Sequence, residues 1–108
     1  MLYVANAFSL NMLEGPCRLD VFFLSPFRAR MLVQNSPFES AVGHEATARV
    51  YTQLLGVEVK AERKAIKVRP GDAVLVGQLG QRLPEGRVLS KEELEALPIQ
   101  WILVEVRR

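Results

Sequence analysis

The chain has 108 residues and a mass of 12.1 kDa, which supports one hydrophobic core and excludes two independent ones. Apolar residues make up 49% and charged residues 24%, a globular balance that disordered chains lack. The formal charge is +2, with ten Arg against four Lys; this suits an anionic ligand without requiring one, because a salt-bridged surface has the same composition.

Leu2–Ala5 reads as a short buried strand, ended by the polar residues Asn6, Ser9 and Asn11. Gly15-Pro16 is a turn. Arg18–Leu24, rich in Val and Phe, reads as a second strand. Ser25-Pro26 supplies an N-cap and a first helical residue for a short helix running to about Val33. Asn35-Ser36-Pro37 breaks the chain. The strongest helical signal covers Ala41 to Leu55, with Ser40 as the expected N-cap and Gly56 as the C-terminal stop. Within it, Ala46, Val50 and Leu54 recur at four-residue spacing and form a core stripe. Lys64–Val68 alternates apolar and basic residues and is expected to be a strand. Pro70-Gly71-Asp72 is a turn, and Ala73–Leu79 is a buried strand. Gln81 to Gly86 is a loop. Ser90-Lys91-Glu92-Glu93 matches a capping box and predicts a short helix over Glu92–Leu97. Ile99–Val106 is the last strand. The expected fold is therefore α/β (α+β): one domain over residues 1–108, with a mixed β-sheet of about five strands flanked by helices.

Several chemistries are disfavoured by residue usage. Cys17 is the sole cysteine, so neither an internal disulfide nor a cysteine-based zinc site is expected. One histidine, His44, and two aspartates, Asp20 and Asp72, give no metal-loop pattern. No metal and no cofactor are expected. The longest apolar runs are strand-sized, well short of the ~18–20 residues of a membrane span. The N-terminus has no basic segment preceding an apolar one, so no secretory signal is expected. The expected setting is cytoplasmic, with no membrane partner.

A few residues stand out as carriers of chemistry. A lone histidine is ordinarily structural or merely exposed. His44, however, follows Gly43 near the start of a helix, where free N–H groups and the positive dipole end favour an anion. Histidine titrates near neutrality and serves as a general acid. Arg82 and Glu85 lie three residues apart in a loop, where they form either a surface ion pair or a phosphate clamp with an orienting carboxylate. Arg63 and Lys67 add positive charge. Asn6, Ser9 and Asn11 either cap turns or contact a ligand.

Three blocks in order carry a resemblance: Tyr3 to Leu13 (YVANAFSLNML), Ser40 to Glu45 (SAVGHE) and Gln81 to Leu89 (QRLPEGRVL), the last followed by Ser90 and Glu92-Glu93. The chain resembles the viral anti-CRISPR ring nucleases, small proteins of archaeal viruses and phages with cellular relatives. The likeness spans Leu2 to Val106 and is weakest between Asp20 and Glu39. It implies a homodimer on a mixed sheet flanked by helices. It implies metal-independent cleavage of cyclic tetra-adenylate to linear di-adenylate, which switches off type III CRISPR signalling. Position by position, it implies catalytic roles for His44, Arg82 and Glu85. Substrate contacts are implied for Asn6, Ser9, Asn11, Gly43, Arg63, Ile66, Gln78 and Gln81. No stable protein partner other than a second copy is expected. The alternative is a non-catalytic dimer that binds cyclic nucleotides or nucleic acid, as a viral regulator would.

Overall fold

In the computed structural model, which describes residues 1–83 and 88–108, five strands form one mixed sheet. They are β1 (Leu2–Ala5), β2 (Arg18–Leu24), β3 (Phe38–Ala41), β4 (Ala73–Leu79) and β5 (Ile99–Arg107), in the order β2-β5-β4-β1-β3. β1 pairs in parallel with both β3 and β4, while β5 pairs antiparallel with β4 and β2. The helices are α1 (Pro26–Gln34), α2 (Glu45–Leu55) and α3 (Lys91–Glu95), with a 3-10 turn over Leu10–Met12. The expected α+β domain with about five strands is the one observed.

Local chemistry explains most boundaries. Ser25 caps α1 by accepting from the Arg28 N–H, and Pro26 fills a position that needs no donor. Gly56 ends α2 in the left-handed conformation, φ 71°, where an added Cβ would also meet the Gln34 amide at 2.8 Å. The Arg30 and Gln34 side chains of α1 donate to the Leu54 and Leu55 carbonyls, so α1 satisfies the acceptors that the end of α2 leaves open. Ser90 and Glu93 form the expected capping box, and α3 starts at Lys91 rather than Glu92.

Two expectations are corrected. Ser40 does not cap the long helix. It lies in β3, in parallel register with Val4, and its hydroxyl donates to the Lys60 carbonyl. Pairing with β1 overrides the helix propensity of Ser40-Ala41, and the helix starts only after Gly43. Lys64–Val68 is not a strand: within it Val68 makes an isolated bridge to Leu13, and just before it Ala61 makes another to Val42. Its alternation is still meaningful, because Ile66 and Val68 turn inward while Lys67 stays exposed. They pack onto a sheet face instead of joining its ladder.

The sheet has two unlike faces. One is closed by α1 and α2 over Val4, Leu75, Trp101, Tyr51, Leu55, Ala29 and Val33. α2 packs along two stripes: Ala48, Tyr51 and Leu55 face the sheet, and the expected Ala46–Val50–Leu54 line packs on a smaller cluster with Leu83, Leu89 and Leu97. The other face is partly covered by irregular chain: Phe8, Met12 and Leu13 with Ile66 and Val68 lie over Ala5, Val74, Val76 and Val106. Beyond that cover, Val21 and Phe23 on edge strand β2 are 53% and 64% exposed.

Candidate functional site

β1 sits between its parallel neighbours β3 and β4; after α2 the chain returns past β3, where Ala61 bridges Val42, and crosses the partly covered face through Ile66 and Val68 to reach β4. Strand order therefore reverses at β1. In open sheets of this kind, ligands bind in the crevice outside the carboxyl ends of the strands at such a point. Asn6 follows β1, Gly43 and His44 follow β3, and Gln81 and Arg82 follow β4. The antiparallel β5 brings its first residues to the same edge, with Gln100 opposite Gln78.

Side chains tie this edge together. The Gly43 N–H donates to Asn6 Oδ1 at 2.9 Å, which fixes the end of β1 to the residue before His44. Arg63 lies over Gly43: a Cβ added there would be 3.8 Å from the Arg63 Cβ, Cγ and Nε. His44 is the N-cap residue of α2. Its carbonyl accepts from the Ala48 N–H, but its side chain makes no capping hydrogen bond and is exposed. The imidazole is thus left free for other use, beside first-turn N–H groups that lack an intrahelical partner.

Tyr51 holds the framework under this edge. β1 pairs with β4 as far as Val76 and stops. At the next residue the Tyr51 hydroxyl accepts from the Gly77 N–H at 2.9 Å and donates to the Gly77 carbonyl. The hydroxyl thereby stands in for a strand residue. Its ring meets Trp101 edge-on at 5.0 Å, and an added Cβ at Gly77 would lie 2.7 Å from Trp101 and 2.8 Å from Tyr51. Only glycine fits. Burial pushes the Tyr51 hydroxyl above its usual range, opposed in part by the Gly77 hydrogen bond. A neutral, locked Tyr51 anchors α2, and with it His44, to the strand that presents Gln78.

A cavity of about 360 Å³ opens on the partly covered face. It is lined by Asn6, Ala7, Phe8, Val76, Gln78, Ile102 and Val104. A second, of about 290 Å³, adjoins it at Gln78 and takes in Leu79, Gly80, Pro98, Ile99 and Gln100. Both have an apolar floor with carboxamides at the rim, a composition suited to a heteroaromatic ring.

The expected site residues fall into three groups. Asn6, Gly43, His44, Arg63 and Gln78 gather at this edge, and Gln81 and Arg82 are exposed just beyond β4. Ser9, Asn11 and Ile66 lie on the irregular cover of the sheet: Ser9 Oγ accepts from the Asn11 N–H, the Asn11 carbonyl accepts from Lys67 Nζ at 2.6 Å while its side chain is exposed, and Ile66 is buried among Ala41, Val68 and Val76. Glu85 lies outside the described residues. Among those residues, no group of three or more His, Cys, Asp or Glu side chains is gathered as metal ligands would be. No helix there is long and apolar enough to cross a membrane. Sequence reasoning missed Phe8, Val76, Ile102, Val104 and Gln100. The period-2 alternation of β4 and β5 was the available signal, since it places Val76 and Gln78 on one face with Gln100, Ile102 and Val104.

Comparison with known proteins identifies relatives over nearly the whole chain. The STIV B116-like family model matches residues 2–101. Uncharacterized protein 26 of Sulfolobus islandicus filamentous virus is 38% identical, over 98% of this chain and 92% of that protein. Uncharacterized protein ORF117 of Acidianus two-tailed virus is 34% identical, over 90% of this chain and 86% of that protein. Among solved structures, B116 of Sulfolobus turreted icosahedral virus superposes with a TM-score of 0.87 at 28% identity, covering 96% of this chain and 97% of that one.

Proposed function

The chain belongs to the STIV B116-like family, and on its motif resemblance and the residues of its site we propose a metal-independent ring nuclease that cleaves cyclic tetra-adenylate to linear di-adenylate. In the host cytoplasm this would switch off type III CRISPR signalling, as an anti-CRISPR protein does. One observation carries the reading: the residue before His44 is tied to Asn6 and lies under Arg63 where the strand order reverses, and Asn6 and Gln78 line a cavity with an apolar floor. The viral source of the relatives agrees with it.

The chemistry needs no metal. A ribose 2′-hydroxyl gives its proton to solvent as it attacks its own phosphorus in line, the P–O5′ bond breaks, and the 5′-oxygen takes a proton from His44. After two such cuts each product is a di-adenylate with a 5′-hydroxyl at one end and a 2′,3′-cyclic phosphate at the other. Holding the hydroxyl opposite the leaving oxygen supplies several kcal/mol. Arg82 and the first-turn N–H groups of α2 offset the charge that builds on the phosphate. Glu85 orients His44 or the reacting ribose.

The active species is a homodimer. Val21 and Phe23 are exposed on the face that carries the cavity, beside Ile102 and Val104 across the β2–β5 ladder. An open apolar face of this kind is usual where a second copy packs. A ring of four identical nucleotides and an isologous dimer share two-fold symmetry. One His44 from each protomer then serves each of two opposite bonds.

The test is incubation of the purified protein with cyclic tetra-adenylate in excess EDTA, followed by chromatography. Di-adenylate is the expected product. Recovery of intact ring bound to protein would replace the nuclease with a sequestering binder, and a requirement for added Mg²⁺ or Mn²⁺ would end the metal-free mechanism.

A further inference from the structure

We propose that Gln100, paired with Gln78 across the β4–β5 ladder, reads the hydrogen-bonding edge of an adenine base and so sets the base selectivity of the site. This rests on the ring-nuclease reading and adds a specificity residue to it.

Three observations converge on the pair. Gln78 and Gln100 are directly opposite in the antiparallel register, so their side chains rise from the same face. Both are exposed and both line the 290 Å³ cavity. Gln78 also lines the 360 Å³ cavity with Asn6, Phe8 and Ile102, so the two hollows meet at Gln78. The floor alongside is Val76, Ile102 and Val104, which presents apolar surface to the flat side of a ring.

The chemistry of the pair distinguishes base from phosphate. The cations of this edge, Arg63 and Arg82, suit phosphate oxygens. A carboxamide carries no charge and gains little from a phosphate. It offers one acceptor and two donors in a plane, which matches adenine: Oε1 accepts from the N6 amino group while Nε2 donates to N7. Two adjacent carboxamides on an apolar floor are therefore placed to recognise a neutral purine edge. The backbone holds them there, because the Gly80 N–H donates to the Pro98 carbonyl at 2.7 Å and closes the strand ends behind the pair.

The test measures binding by calorimetry in the His44→Ala background, which keeps the ring intact. The ligands are cyclic tetra-adenylate and the matching cyclic tetra-inosinate, which has a carbonyl in place of the amino group. With Gln100 present, the adenylate ring should bind about tenfold or more tightly than the inosinate ring, the discrimination expected of one good bidentate contact. Gln100→Ala and Gln100→Glu should each reduce that preference to about twofold or less, with adenylate binding weakened more than inosinate binding. Thermal melts identify any variant that fails to fold, and Gln100→Glu, nearly isosteric, keeps the test valid if Gln100→Ala does not. An unchanged preference in both variants overturns the role of Gln100 while leaving the ring-nuclease reading intact. Failure of the parent protein to bind the adenylate ring at all overturns both.

Discussion

The two faces of this sheet have opposite characters. On one, α1 and α2 seal Trp101, Tyr51, Leu55 and Leu75 into a continuous core. On the other, a 3-10 turn and an irregular segment cover only part of the strands, leaving Val21 and Phe23 in solvent and a cavity beneath Asn6 and Gln78. The closed face holds the continuous core, and the open face carries the cavity. His44 sits where they meet, because α2 starts at the edge they share. A small domain can afford a half-covered sheet only if its other side is well packed.

The largest effect that tests this division is at His44. His44→Ala should lower the single-turnover rate for cyclic tetra-adenylate by about 10²–10⁴-fold, the usual contribution of a general acid. The melting temperature should barely move, because the side chain is exposed and makes no capping bond. Near-native turnover would remove the imidazole from the mechanism.

Next is the closed face. Gly77→Ala forces a methyl against Trp101 and Tyr51, and overpacking of a tight core costs about 1–3 kcal/mol. Denaturant titration should show that loss in the midpoint. An unperturbed midpoint would mean that the Tyr51–Trp101 packing has room to spare.

A charge on the open face should do the reverse. Phe23→Glu is expected to convert a dimer to a monomer in light scattering, while intrinsic stability changes by no more than about 0.5 kcal/mol, as for other exposed positions. A variant that remains dimeric would place the interface elsewhere.

The smallest effect is pH-dependent. Tyr51 is held neutral by burial, so its folded-state value lies above its unfolded one. Its contribution is complete below the unfolded value of about 10 and is lost as pH rises from there toward the folded value. By pH ~11 the loss should be about 1 kcal/mol. Melting curves of the wild type should therefore fall more steeply above pH ~10 than those of Tyr51→Phe; parallel curves would indicate a hydroxyl that ionises freely in the native state.

Much of the fold was legible along the chain because its signals are local. Ser25-Pro26, Ser90 with Glu93, and Gly56 each mark a helix end through hydrogen bonds made within a few residues. β2, β4 and β5 were likewise readable from apolar, β-branched runs. The misread strands have a shared cause. Phe38–Ala41 becomes a strand because β1 offers it a parallel partner, whereas in Lys64–Val68 only Val68 bridges, to Leu13, while Ile66 and Val68 pack onto a sheet face. The site divided the same way. Asn6, His44 and Arg82 stood out by residue type, whereas Gln100 and Ile102 acquire meaning only from register with β4.

By itself, then, the order of residues determined where helices begin and end, which segments are extended, and which few side chains carry chemistry. Those properties depend on neighbours three or four positions away. Only tertiary structure decided which extended segments pair, which face stays open, and that Asn6, Gly43, Arg63 and Gln78 meet at one edge. Such contacts join residues tens of positions apart, and their free energy exists only once the chain has closed the loops between them.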